Sequence, residues 1–149
     1  MTDTENENET PISLDTDLID QETFNQLLDM DDGEDENFLL DILDDYYKQA
    51  QDTFADMETA LKKKNLKKLS ELGHFLKGSS AAMGLTKVKD SCEKIQHCGN
   101  KKDESGKKDI TEEDALIRIT DLLVQVRTEY ESAEAHLKGL YKKGEKSNN

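Results

Sequence analysis

Gly73-His74-Phe75-Leu76-Lys77-Gly78-Ser79-Ser80-Ala81-Ala82-Met83-Gly84 sets one histidine on the polar side of an amphipathic helix. At about 100° per residue, Lys77 falls about 60° to one side of His74, Gly78 about 40° to the other and Ala81 about 20° away. Leu69, Leu72, Leu76 and Met83 gather within about 40° of the opposite side. The imidazole is therefore expected to face solvent or a partner, with a cation one turn on and almost no side-chain bulk around it. Asn65 is placed to cap the start of this helix and Gly84 to stop it.

The same periodicity recurs on either side. A short segment from about Asp17 to Met30 repeats Leu18, Phe24, Leu27 and Leu28 at helical spacing and ends in the acidic turn Asp29-Met30-Asp31-Asp32-Gly33. From about Asp35 to Lys63, Phe38, Leu39, Ile42, Leu43, Tyr46, Ala50, Phe54, Met57 and Leu61 form one broad stripe, with an acidic start and a Lys-rich end that suit the helix dipole. Beyond the histidine helix, Thr86 is read as the cap of a segment from about Lys87 to Cys98 that turns Val88, Cys92 and Ile95 inward. A polar loop covers residues 99–110, and Thr111-Glu112-Glu113-Asp114 has the form of a capping box opening a long last helix through Ala115, Ile119, Leu122, Leu123, Val126, Tyr130, Ala133, Leu137 and Leu140.

Strand signals are nearly absent, with no Trp and a single proline, Pro11. Four amphipathic helices with short to moderate connections bury their stripes most simply as an antiparallel bundle. The expected fold is all-α: an antiparallel four-helix bundle with an additional short N-terminal helix. Residues 1–13 and 143–149 read as disordered tails and 14–142 as one domain.

The chain has 149 residues and a formal net charge of -14, and the charge is lopsided. Its first 47 residues hold 17 Asp and Glu and no Lys or Arg, whereas the remaining 102 carry 20 Lys and Arg against 17 acids. A nucleic-acid partner is not expected, because it requires a concentrated basic footprint. The one basic cluster, Lys62-Lys63-Lys64 with Lys67 and Lys68, reads as a solvated helix end. Met1 to Thr10 has no apolar core for a signal peptide, and no apolar run approaches the ~18 residues of a membrane span. A soluble intracellular monomer is expected, with Cys92 and Cys98 as reduced, buried groups.

The chemistry centres on His74. An unperturbed imidazole, with a pKa of about 6.5, is largely neutral at pH 7, and its free ring nitrogen can attack a phosphoryl group. Lys77 could neutralise the anionic product. Gly78 costs its helix about 0.5–1 kcal/mol relative to Ala, so clearance for an approaching active site is its readiest use. Gly73, on the flank towards the apolar stripe, reads equally well as a packing glycine.

This segment resembles the histidine-containing phosphotransfer (HPt) family, whose motif has the form His-x-x-Lys-Gly followed by small residues. Leu72-Gly73 and Cys92-Glu93-Lys94-Ile95-Gln96 are similar to the fungal single-domain members. Asn100 differs from the basic residue that such relatives often carry after the glycine, and the loop before the last helix is short for the group. The resemblance implies a phosphorelay carrier, not an autonomous enzyme. His74 would accept a phosphoryl group from the aspartate of a receiver domain on a hybrid sensor histidine kinase and pass it to the receiver of a response regulator. Lys77 would stabilise the phosphoryl group, Gly78 give access and Gln96 reach the imidazole. The chain would need no cofactor of its own, with Mg²⁺ brought by the receiver, and would work in cytoplasm and nucleus. Ser79 and Ser80 are expected to face inward and bond to backbone.

Phe24, Leu27, Leu28, Met30 and Leu39 exceed what one short helix needs for anchoring. Some are expected to stay exposed as a receiver-docking patch, as the resemblance also implies. The alternative reading is a non-catalytic helical adaptor that binds a partner through its acidic N-terminal helix. Metal binding is the weaker rival. Glu71-Leu72-Gly73-His74 has the Glu-x-x-His form of di-iron bundles, but Lys94 and Ala133 replace the Glu before His97 and His136. Cys92, His97 and Cys98 lack a zinc spacing, and the turn at Asp29 puts Gly fifth and Leu40 twelfth, against a calcium loop.

Overall fold

The computed structural model describes residues 19–30 and 38–148, excluding the side chains of Leu28, Met30 and residues 140–148. Five helices carry the described chain: α1 (Gln21–Met30), α2 (Phe38–Lys62), α3 (Leu66–Ala82), α4 (Thr86–Gly99) and α5 (Glu112–Asn148). Each of α2 to α5 packs on its neighbours in sequence, α5 closes back onto α2, and α3 and α4 run close together along most of their length. That cycle is the expected antiparallel four-helix bundle, with α1 added beside α2. The helix from 112 runs on to Asn148, past residue 142 where the sequence reading ended the domain. The tail expected over 1–13, and Leu18, lie outside the described residues.

One core holds the bundle. Leu39, Leu43 and Met57 from α2, Leu69 and Leu76 from α3, Val88 and Ile95 from α4, and Ile119, Val126 and Leu137 from α5 are all essentially inaccessible. Each such side chain contributes roughly 1.5–3 kcal/mol relative to an exposed one. Tyr46, Tyr47 and Phe54 surround Tyr130, with ring centroids 5.4–6.5 Å from it in tilted or edge-on pairs. The buried Tyr46 hydroxyl meets Ser80 Oγ at 2.7 Å, tying α2 to α3. Ser80 therefore bonds a side chain across the bundle rather than backbone, a correction to the sequence reading that follows from its facing α2. Ser79 is only half-buried.

Three turns share one device. In each, a left-handed residue ends the helix and the next N–H returns to the carbonyl five residues back. Lys64 (φ 57°) is followed by Asn65 N–H on Ala60 O at 2.9 Å, Gly84 (φ 77°) by Leu85 N–H on Ser80 O at 2.9 Å, and Lys101 (φ 63°) by Lys102 N–H on His97 O at 3.0 Å. Asn65 caps α3 as expected, accepting the Lys68 N–H at 3.0 Å. Thr111 caps α5 by accepting the Asp114 N–H at 3.1 Å. Thr86 does not cap α4. It is the first helical residue, and the buried Leu85 holds the cap position without a side-chain bond, because Leu85 is drawn into the core by the turn before it.

The chain entering α1 is pinned to the same end of the bundle as Gly84: the Asp20 N–H donates to Gly84 O at 2.6 Å. The polar loop is ordered by its own side chains. Asp103 Oδ1 accepts from Ser105 Oγ at 2.6 Å and from the Ser105 N–H at 3.1 Å, Lys102 bridges Asp109, and the His97 ring packs under Gly106. Arg118 holds the loop to α5 through Glu104 and Asp114. Among the described residues, no helix is long and apolar enough to cross a membrane.

Candidate functional site

His74 stands exposed at the middle of α3, with Leu72 and Leu76 buried on the other side of the helix. Those two leucines, with Leu69, clamp α3 into the bundle and so fix which way the imidazole points. Lys77 is half-buried one turn on. Beside it Gly78 is exposed, and a Cβ built there would meet nothing within 4 Å.

The two glycines flanking His74 do opposite things. A Cβ on Gly73 would stand 2.8 Å from Cys92 O and 3.0 Å from Gln96 N. Gly73 is thus the packing glycine, letting α4 approach α3 directly behind the histidine. A second close approach at Gly99, where a Cβ would lie 2.6 Å from Ser70 N, keeps the two helices tight along their length.

That contact sets the Gln96 backbone against Gly73, the residue before the histidine. The Gln96 carboxamide oxygen is buried without a hydrogen-bond partner, and no bond joins Gln96 to His74. An amide with an unused buried acceptor is unspent hydrogen-bonding capacity on the face of α4 that meets α3.

The expected docking residues separate. Phe24 and Leu39 lie in the core at 7% and 1% exposure, so neither is presented to a partner; tertiary packing of α1 on α2 consumes them. Leu27 is half-buried against the same core, and the side chains of Leu28 and Met30 lie outside the described residues. Sequence reading missed Phe75, an aromatic ring 48% exposed directly beside His74. Its signal was available: Phe75 sits about 80° off the direction of the leucine stripe. Cys92 and Cys98 are buried free thiols, as expected. Among the described residues no three His, Cys, Asp or Glu side chains come together as a metal site.

A four-helix bundle that displays an imidazole beside a lysine and an open glycine is the class to which the comparisons assign this chain. The chain belongs to the Hpt domain family, whose model matches residues 41–136. It is 46% identical over 130 residues to the Schizosaccharomyces pombe multistep phosphorelay regulator 1, covering 87% of this chain and 44% of that protein. It is 45% identical over 87 residues to the Candida albicans phosphorelay intermediate protein YPD1, covering 58% of this chain and 47% of that one. The chain thus spans about half the length of the curated relatives it matches. Among solved structures it superposes with a TM-score of 0.75 and 33% identity on the Saccharomyces cerevisiae histidine phosphotransfer signalling protein Ypd1, co-crystallised with the receiver domain of its downstream response regulator Ssk1. That match covers 87% of this chain and 98% of the other.

Proposed function

We propose that the chain is the histidine phosphotransfer intermediate of a multistep phosphorelay. The observation that carries this reading is an exposed His74 beside an open face at Gly78 in a member of the Hpt domain family. Relatives named as phosphorelay intermediates, and one solved with a receiver domain, support it.

In the reaction, one nitrogen of the neutral imidazole attacks the phosphorus of a receiver aspartyl phosphate with its lone pair. The N–P bond forms as the O–P bond breaks, the carboxylate leaves with the bonding electrons, and the other ring nitrogen keeps its proton. The second transfer, to a response-regulator aspartate, is the same exchange reversed. Lys77 balances charge on the phosphoryl oxygens. Gly78 lets the receiver's active site close over the ring, and the Gln96 amide supplies a hydrogen-bonding group at the ring's edge. The receiver supplies Mg²⁺ and the carboxylates; this chain supplies nucleophile, cation and clearance, and is a carrier rather than an autonomous kinase. Phe75 and Leu27 offer apolar surface to a receiver helix. A monomer working in cytoplasm and nucleus, between a hybrid kinase and its regulators, fits this role.

Incubation with a phosphorylated receiver tests the reading. Acid-labile label is expected on the wild type and absent from His74→Gln. Failure of several phosphorylated receivers to label the wild type would overturn it, and tight receiver binding without transfer would favour an adaptor.

A further inference from the structure

At the end of the bundle away from Gly84, the α2–α3 and α4–α5 turns face each other across a cleft of about 420 Å³ lined by Lys64, Leu66, Lys67, Gly99, Asn100, Lys101 and Glu112. Three of these residues are lysines, and among the described residues none of the three has a carboxylate within salt-bridge distance. Lys64 and Lys101 are also the non-glycine residues with positive φ in the described chain. At the equivalent position of the α3–α4 turn stands Gly84, the residue such turns favour. Lysine thus occupies, on both walls of one cleft, the backbone position where a side chain is least comfortable.

The chain carries its own counter-charge. Residues 1–18 hold Asp3, Glu5, Glu7, Glu9, Asp15 and Asp17 and no Lys or Arg. They enter the fold at Ile19 and Asp20, which is tied to Gly84 O. From that tether to the cleft is the length of α3, whose 17 residues span about 24 Å. The ten to sixteen residues that separate Glu9 and Asp3 from Ile19 can reach at most roughly 33–58 Å, so these acids can cover that distance. An anion tethered to the chain meets the cleft at an effective local concentration rather than at its bulk concentration. A free anion, by contrast, must approach a protein of net charge -14.

We propose that the acidic N-terminal segment, residues 1–18, docks in cis on the lysine cleft formed by Lys64, Lys67 and Lys101. Lys67 lies about 20° from His74 around α3 and two turns before it, so the segment passes along the face that displays the histidine. The contact is electrostatic and therefore weakens as salt shortens the Debye length from about 10 Å at 0.1 M to about 3 Å at 1 M.

The test is paramagnetic relaxation in the full chain with a nitroxide on Thr4→Cys, the native thiols being buried. Selective broadening of the Lys64, Lys67 and Lys101 amides at low salt is expected, lost in 1 M NaCl and lost when Glu5, Glu7 and Glu9 are changed to Gln. Broadening absent from these amides, or unchanged by both salt and neutralisation, would overturn the proposal. Inorganic phosphate provides a second arm: it should perturb the three amides at a several-fold lower concentration in the neutralised variant than in the wild type. Equal phosphate sensitivity would mean an open anion site without the segment in it. Neither arm involves phosphoryl transfer, so the outcome is independent of the function proposed for His74.

Discussion

A Cβ on Gly73 would lie 2.8 Å from the carbonyl oxygen of Cys92, closer than real Cβ atoms approach backbone oxygen. Five residues on, Gly78 has open space around it. The two positions therefore separate packing from access on one helix. Gly73→Ala is expected to destabilise the fold by about 1–3 kcal/mol, since backbone on both sides must move. Gly78→Ala is expected to stabilise it by about 0.5–1 kcal/mol, the ordinary gain of Ala over Gly in a helix. Gly78→Gln should keep that stability yet slow phosphotransfer on the order of tenfold, equivalent to about 1.4 kcal/mol. Thermal melts beside transfer kinetics check all three, and a stable Gly78→Gln with unimpaired transfer would refute the access role.

Lys77→Ala is expected to slow label transfer to His74 several-fold without lowering the melting temperature. A half-exposed cation is worth roughly 0.2–1 kcal/mol to a neighbouring anion. Lys77→Arg should restore most of the rate, because the role assigned is charge rather than shape.

Tyr46 and Ser80 are unequal partners in their buried bond. Ser80→Ala strands the Tyr46 hydroxyl in the core and should cost about 1–3 kcal/mol. Tyr46→Phe leaves Ser80 free to bond the carbonyl one turn back in its own helix, so about 0.5–1.5 kcal/mol is expected. Urea denaturation of both single variants and the double variant gives the coupling; equal single losses would mean that Ser80 finds no substitute.

Burial pushes the Cys92 thiol up to about 12 and the Cys98 thiol up to about 11, with Glu129 and Glu104 adding to it respectively. In the unfolded chain such thiols ionise near about 8.5. The folded values are raised, so the fold favours the neutral form: the stability these groups add is complete below about pH 8.5 and falls as pH rises through 9 to 12. Denaturant midpoints measured from pH 7 to 11 should decline more steeply for the wild type than for a Cys92→Ala, Cys98→Ala variant. Parallel slopes would remove the thiols from the alkaline response.

Gly84 holds φ at 77°, and a Cβ there would lie 3.1 Å from Thr23 Cβ and 3.2 Å from Asp20 O. Gly84→Ala is expected to cost about 1–2 kcal/mol in backbone strain and to loosen the attachment of α1. Hydrogen exchange at the Asp20 amide, which donates to Gly84 O, should accelerate more than exchange in α5.

The sequence by itself determined the helices, the caps at Asn65 and Thr111, the outward histidine and the lopsided charge, because each is a property of residues within a turn or two of one another. Periodicity says which side of a helix is apolar. It does not say which helix will cover that side or how closely. Whether Gly73 packs or clears, whether Phe24 and Leu39 are spent in the core or shown to a partner, and whether Ser80 bonds its own helix or Tyr46 were decided only when α1, α2 and α4 closed around α3. The lysine cleft has the same origin: Lys101 is separated from Lys64 and Lys67 by a whole helical hairpin, and only the antiparallel return of α4 along α3 brings all three to the walls of one cleft.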